Sequence, residues 1–261
     1  MAHIMVVGQN GVSSPRFHER RIVVTGGARG IGAEIARQFA GAGARVAILD
    51  RLVDDASALV ADFGGAESFA VSCDLADATS TTAAMDTAIG RLGGIDVLVN
   101  NAGVFRITPL LDISPDEWDW VFSVNVRALL VTTQVAARAM IAAGTGGKIV
   151  NMASMGGKVG AAGQAHYAAS KAAVISLTQV SATELGGHGI NVNAICPGYV
   201  LTEMGAGTRT ADQIAAWTAK SPLGRLGEPA DVAAMAMFLA SGDADYCTGQ
   251  AFNVTGGMIF H

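Results

Sequence analysis

The feature that most constrains the fold is an apolar run that breaks into glycines and restarts as an amphipathic helix. Residues 20–25 read R-R-I-V-V-T and pass directly into Gly26, Gly27, Ala28, Arg29, Gly30, Ile31 and Gly32. From about Ile31 to Gly41 the apolar residues Ile35, Ala36 and Phe39 recur at helical spacing, which predicts a buried strand, a turn and a helix in succession. In that context glycines let the backbone approach a pyrophosphate, whose charge suits the unpaired N–H groups and dipole at a helix N-terminus. The spacing is Gly26-x3-Gly30-x-Gly32 rather than G-x-G-x-x-G, and by itself the run reads equally well as a tight turn.

The same alternation continues along the chain. Further strands are expected at 44–49, 68–72, 95–99, 149–152, 190–195 and 250–254. Helices are expected at 53–63, 80–92, 114–143, 165–186, 211–219 and 228–239. No repeat of 20–50 residues is visible. The pattern predicts an α/β chain: one doubly wound, seven-stranded parallel sheet with helices on both faces, spanning 16–261 as one domain. Residues 1–15 lack periodicity and read as a loose N-terminal arm or an expression remnant. Residues 199–220 form a long excursion after a strand end, as substrate loops do.

Right-handed crossovers would gather the carboxyl ends of the strands at one edge, where ligands bind. Asp50 ends the second strand about 20 residues after the glycine turn, where a carboxylate can hold a ribose diol and repel a 2′-phosphate. That favours NAD over NADP, with Arg29 and Arg51 as a counterweight; a solvated strand-end cap is the plain alternative. Asn100-Asn101-Ala102-Gly103 follows the fourth strand and reads as a ligand loop or an Asx turn. Ser114-Pro115 with Glu117 marks a helix start. In that helix, Asn125 is either a surface residue or a break in the ladder; buried among its apolar neighbours it would need a partner. Pro197-Gly198 ends the sixth strand.

Composition excludes several classes. Hydrophobic residues are 51% and charged residues 15%, which suits a buried core and not a disordered chain. The 33 glycines sit at element ends rather than in an array. A net charge of −5 without a basic cluster gives no footprint for nucleic acid. No uninterrupted apolar run approaches the ~18 residues of a membrane span, and no secretory leader is visible. Cys73, Cys196 and Cys247 are odd in number and widely spaced, which predicts no metal site, no disulfide framework and a reducing cytoplasm.

The stretch 154–171 carries the chemistry. Tyr167 and Lys171 are four apart on a predicted helix and share a face, so the cation is expected to lower the phenol's pKa. Ser154 stands at the end of the fifth strand, before two glycines. A solvated Tyr–Lys pair is common, so these residues matter only in combination with the other strand ends.

Together, Thr25-Gly26-x3-Gly30-x-Gly32, Asp74, Asn100-Asn101-Ala102-Gly103, Asn125, Ser154, Tyr167-x3-Lys171 and Pro197-Gly198 with Thr202 resemble the short-chain dehydrogenase/reductase family over residues 20–257. The resemblance implies a Rossmann fold and a nicotinamide cofactor. It implies Tyr167 as the proton donor or acceptor, Lys171 tuning it and binding the nicotinamide ribose, and Ser154 on the substrate oxygen. Asn125 would hold a water linking Lys171 to solvent. Asp74 would meet the adenine, Asn101 the adenosine ribose and Thr202 the nicotinamide amide. Ile31, Leu75, Ala102, Gly103 and Val200 complete the expected cofactor contacts. Phe105, Met155, Gly156, Gln164, His166, Tyr199, Met204 and Trp217 are expected substrate walls, with Gln164 and His166 suited to extra hydroxyls. Residues 137–154 and 173–194 are similar to the sugar-alcohol (polyol) dehydrogenase branch, which implies an NAD-linked, homotetrameric polyol dehydrogenase. An NADP(H)-dependent carbonyl or 3-oxoacyl thioester reductase and a non-catalytic dinucleotide-binding scaffold are the alternatives.

Overall fold

The computed structural model describes residues 16–64, 67–202 and 210–261. The expected arm at 1–15 and Met204 lie outside them. Seven strands form: β1 (Arg21–Thr25), β2 (Arg45–Asp50), β3 (Phe69–Ser72), β4 (Val97–Asn100), β5 (Gly147–Met152), β6 (Ile190–Pro197) and β7 (Ala251–Val254). They pair in one parallel sheet of order β3-β2-β1-β4-β5-β6-β7, so all their carboxyl ends lie at one edge. The strand order reverses between β1 and β4, the crevice where doubly wound sheets bind ligands.

The strands are apolar at nearly every position because both faces are covered. Ile22 and Val24 of β1 enter one core with Val46 and Ile48 of β2, beneath α1 (Gly30–Gly41), α2 (Val53–Ala61) and α8 (Pro229–Leu239). Val23, Ala47 and Leu98 point to the opposite face, toward α3 (Ala78–Leu92) and α5 (Ala128–Ala143). On that face α6 (Ala165–Leu185) lies over β5 and β6, and Val174 packs with Ala194 and Cys196. Among the described residues the remaining α-helices are α4 (Pro115–Phe122) and α7 (Ala211–Thr218).

Local chemistry accounts for the boundaries. The Asp77 carboxylate accepts from Thr79 and Ser80 N–H at 2.7 and 3.0 Å, so α3 starts two residues before the apolar pattern suggested. β5 begins at Gly147 and β6 extends to Pro197, because pairing with Ile190 and Val254 continues past the apolar core. Ser114 caps α4 through the Glu117 N–H, with Pro115 at the first turn. The expected single helix at 114–143 is interrupted: Ser123–Arg127 is a π turn between α4 and α5, and Asn125 sits in it. By length and composition Pro115–Ala143 could cross a membrane, but here it is a sheet-covering helix whose Val121, Ala128, Ala136 and Met140 are buried.

A buried polar chain ties the middle of the sheet to its helices. Asn100 Nδ2 donates to Asn151 Oδ1 at 2.9 Å, Thr132 Oγ1 donates to Asn100 Oδ1 at 2.6 Å, and Asn151 Nδ2 donates to Thr178 Oγ1 at 3.0 Å. These groups connect β4, α5, β5 and α6 just below the carboxyl edge. Asn151→Ala removes the shorter of the two bonds from Asn100 Nδ2, leaving Thr133 Oγ1 at 3.2 Å, together with the bond to Thr178, and is expected to cost ~1–3 kcal/mol. Urea unfolding measures this; a loss under ~0.5 kcal/mol would mean that the chain is not stabilising the core.

Candidate active site

At the β1 end, Gly26 and Gly30 have φ of +62° and +57°, a conformation that side chains strain. A Cβ on Gly32 would lie 2.2 Å from the Gly26 carbonyl and 2.4 Å from Asn101 Nδ2, so α1 enters the turn with no room for a side chain. Asn101 Nδ2 donates to the Thr25 and Gly26 carbonyls at 3.1 and 2.8 Å. Thr25 Oγ1 accepts from the Asn101 and Ala102 N–H groups, both at 3.1 Å. The turn and the Asn101–Gly103 loop are thus one hydrogen-bonded cradle, and its bare backbone fits a dinucleotide pyrophosphate. Leu75 lines a small pocket with Thr25, Asn100 and Ala102. Ile31 is half-buried, and Asp74 is exposed, with Oδ1 accepting from Ala76 N–H.

Asp50 is 9% exposed, and its two oxygens accept from Ala28 and Leu52 N–H, each at 3.0 Å. Those bonds orient the carboxylate at the β2 end and leave a lone pair on each oxygen. Arg29, one of the two expected counterweights, is held by Asp55, with Nε 2.7 Å and Nη2 2.6 Å from Oδ2; the other, Arg51, is exposed.

At the other end of the edge, Ser154 follows β5 and opens the short turn Met155–Gly157, where its Oγ accepts from Gly156 N–H at 3.0 Å. Tyr167 lies on the first turn of α6; a Cβ on Gly156 would stand 3.3 Å from Ser154 Oγ and 3.4 Å from Tyr167 Cε1, so the hydroxyl and the phenol ring border the same space. Lys171 is 4% exposed; its Nζ donates to the Met152 carbonyl at 2.8 Å and sits 5.8 Å from the Tyr167 ring centre. Asn125, 2% exposed, accepts at Oδ1 from Val104 N–H at 2.8 Å. Its Nδ2 donates to the Val104 carbonyl and to Ser170 Oγ, both at 3.0 Å. The β6 end adds Pro197 and Gly198, whose N–H donates to the Val254 carbonyl. Val200 bridges to Gly227, and Thr202 comes beside the glycine turn, 3.6 Å from where a Gly30 Cβ would stand.

The walls also gather here. Phe105 meets the Tyr167 ring edge-on at 4.8 Å, and Tyr199 stacks on Trp217 at 4.2 Å. Met155, Gly156 and Gln164 are half-buried around the Ser154 turn and the start of α6. His166 does not join them. Its ring is 0% exposed, its Nε2 is 3.0 Å from Glu117 Oε1, and Nδ1 is buried without a partner. One residue before Tyr167 on a helix is about 100° away, so the ring faces α4 instead of the cleft. The expected hydrogen bond from His166 to a substrate hydroxyl is withdrawn on that ground.

Electrostatics correct a second expectation. Burial pushes the Lys171 ammonium down to about 8. Burial also pushes the Tyr167 phenol up, against a smaller lowering by Ser154. Among the protein's own groups the phenol therefore moves opposite to the direction that the Tyr–Lys spacing suggested, because desolvation dominates and Lys171 is not among the groups that lower it. Three neighbours were not expected at the site from the sequence. Lys158 Nζ binds the Ala251 carbonyl at 2.8 Å and Asn253 Oδ1 at 2.9 Å, pinning the Ser154 turn to β7. Cys196 is buried beside the site, its thiol pushed up by burial against the opposing Lys158 and Lys171 charges. Glu117 is held below the usual carboxylate range by hydrogen bonds with Thr108 and His166. Only the helix-start role of Glu117 was legible locally.

Residues 26–259 match the family described as Enoyl-(Acyl carrier protein) reductase. The chain is 42% identical over 255 residues to sorbitol dehydrogenase of Cereibacter sphaeroides, covering 93% of this chain and 98% of that one. It is 39% identical over 252 residues to galactitol 2-dehydrogenase of Agrobacterium fabrum, covering 93% and 98%. The crystal structure of a short-chain type dehydrogenase/reductase from Mycobacterium marinum superposes with a TM-score of 0.90 at 35% identity, covering 96% of this chain and 99% of that chain.

The Lys171 shift has a signed consequence. Below pH ~8 the ammonium is charged in both folded and unfolded chains, so the folded state bears the whole desolvation cost, which fades as pH rises from about 8 toward 10.5. Lys171→Met is expected to raise unfolding free energy at pH 7 by ~1–3 kcal/mol, less at pH 10. Denaturant titration at both pH values tests it; a destabilised variant would show that the bond to Met152 outweighs desolvation.

Proposed function

The chain belongs to the short-chain dehydrogenase/reductase family and is an NAD(P)-dependent oxidoreductase of CH–OH donors; from that premise we propose that it oxidises a secondary alcohol of a polyol with NAD. The observation that carries the reading is the convergence of Ser154, Tyr167 and Lys171 with the glycine cradle on one sheet edge. The substrate class is supported by the relatives named for sorbitol and galactitol, and the half-buried Gln164 offers an amide to an additional hydroxyl.

In this reading the cradle formed by Gly26, Gly30, Gly32 and Asn101 holds the pyrophosphate, and Asp50 accepts from the ribose hydroxyls. Asp74 and Leu75 border the adenine, while Thr202, Val200 and Pro197-Gly198 border the nicotinamide amide. When bound, oxidised NAD supplies the hydride acceptor and a positive charge near the phenol. Tyr167 Oη removes the hydroxyl proton of the alcohol. Ser154 Oγ, its lone pair engaged by Gly156 N–H, donates to the same oxygen. Lys171 Nζ contacts the nicotinamide ribose and stabilises the phenolate. The side chain of Asn125 holds the π turn and the loop against α6 through Val104 and Ser170, and the second lone pair on its Oδ1 is left for the water that would link Lys171 to solvent. For the cofactor, Asp50 opposes a 2′-phosphate and Arg29 is already paired with Asp55, while the exposed Arg51 is the counterweight that remains. The intact Asn125, Ser154, Tyr167 and Lys171 weigh against a silent scaffold.

We also read the protein as a homotetramer of a reducing cytoplasm. Leu130 and Val180 stand 42% and 51% exposed on α5 and α6, as they would if a second copy covers them, and the three cysteines are unpaired. Light scattering is expected to give four times the chain mass; a monomer would overturn the assembly.

The central test follows NAD or NADP reduction with tetritols, pentitols, hexitols and simple secondary alcohols. A polyol is expected to be turned over best and NAD preferred at least ~tenfold in kcat/KM. Tyr167→Phe is expected to lower kcat at least ~10³-fold with NADH affinity within about twofold. Equal or better use of NADP, or preference for a 3-oxoacyl thioester, would sink the reading.

A further inference from the structure

The loop between β4 and α4 is held at two points, and the second lies outside the residues assigned above. At the first, Asn125 engages both the N–H and the carbonyl of Val104. At the second, the Glu117 carboxylate accepts from Thr108 Oγ1 at 2.6 Å and lies 3.0 Å from His166 Nε2. Thr108 N–H also donates to the Gly163 carbonyl at 2.9 Å, just ahead of α6. Gly163 has φ +75°, and a Cβ there would stand 2.9 Å from Ile107, so the loop lies directly on the turn that leads to Tyr167. Phe105, between the two clamps, packs edge-on against Tyr167.

Glu117 is an acceptor only, which fixes a proton on His166 Nε2. The contact is therefore a charge-assisted hydrogen bond between α4 and α6, with the ring buried and the Glu117 side chain 15% exposed. Arg106, whose charge also bears on Glu117, lies over the Trp120 ring at 4.7 Å.

We propose that Glu117, His166 and Thr108 form a clasp that sets the position of the 104–108 loop, so that Glu117 and His166 are positioning residues for the substrate wall at Phe105. The proposal rests on the alcohol-oxidation reading for its kinetic arm only. The clasp leaves the glycine cradle and the Lys171–Met152 bond untouched, so its loss acts on the alcohol and not on the dinucleotide.

Three variants test it: Glu117→Ala, which removes the acceptor; Glu117→Gln, which keeps a neutral one; and His166→Phe, which keeps a ring without the donor. With the best alcohol from the substrate screen, Glu117→Ala and His166→Phe are expected to raise KM about tenfold, with kcat within about threefold and NADH affinity within about twofold. Glu117→Gln is expected to bring KM back to within about threefold of the parent. Hydrogen exchange on the full chain without substrate supplies the second arm: the Thr108 amide is expected to exchange at least about tenfold faster in Glu117→Ala and near the parent rate in Glu117→Gln. An unchanged KM, or equal losses in kcat and NADH affinity, overturns the proposal. If the parent oxidises no alcohol, the functional reading falls, and exchange alone decides the clasp: an unchanged Thr108 rate overturns it.

Discussion

The carboxyl edge depends on keeping one ammonium dry. Lys171 is buried against β5, and a single hydrogen bond to the Met152 carbonyl replaces the water it has lost. Burial makes that cation costly, and the surrounding chain is shaped to keep it in place. A Cβ on Gly103 would come 3.2 Å from Nζ, and one on Gly157 would meet the Lys171 backbone at 2.7 Å. Two glycines from different loops thus let the β4 and β5 ends close over the lysine. A group strained in this way is a common mark of a site built for chemistry rather than stability.

The same logic runs down α6. Its buried stripe is polar at His166, Ser170, Lys171 and Thr178, an expensive choice for a core-facing helix unless each group has a partner. The partners come from α4, the π turn, β5 and the helix backbone: Glu117, Asn125, Met152, Asn151 and the Tyr167 and Val174 carbonyls. The buried polar groups therefore set the height and rotation of α6 over the sheet, and with them the place of Tyr167. The π turn is part of this fit. It carries Asn125 into the seam, where one side chain joins the Val104 loop to Ser170.

Much of the fold was legible because its signals are local. Glycine punctuation, apolar runs and the Ser114-Pro115 helix start each report on a few adjacent residues. A chain of strand–helix units then has few topologies open to it. The errors share one cause. The helix at 114–143 read as one element in which Asn125 was either a surface residue or a break, and sequence left that open because a π turn depends on what its Asn meets. His166 read as a cleft residue because adjacency to Tyr167 in sequence does not give a common helix face. Glu117 read only as a first-turn carboxylate because Thr108 and His166 reach it through tertiary packing.

The sequence by itself determined the alternation of elements, the glycine cradle, the acidic β2 end and the four-residue interval that puts Tyr167 and Lys171 on one face. All of these follow from backbone geometry over a handful of residues. Only the tertiary structure decided the charge state that those residues prefer and the partners that they keep. It turned the phenol upward and the ammonium downward, tied Arg29 to Asp55 and closed His166 into a seam. Desolvation and pairing depend on which distant segments exclude water from a group, and that is set when α4, α6 and the sheet edge pack together.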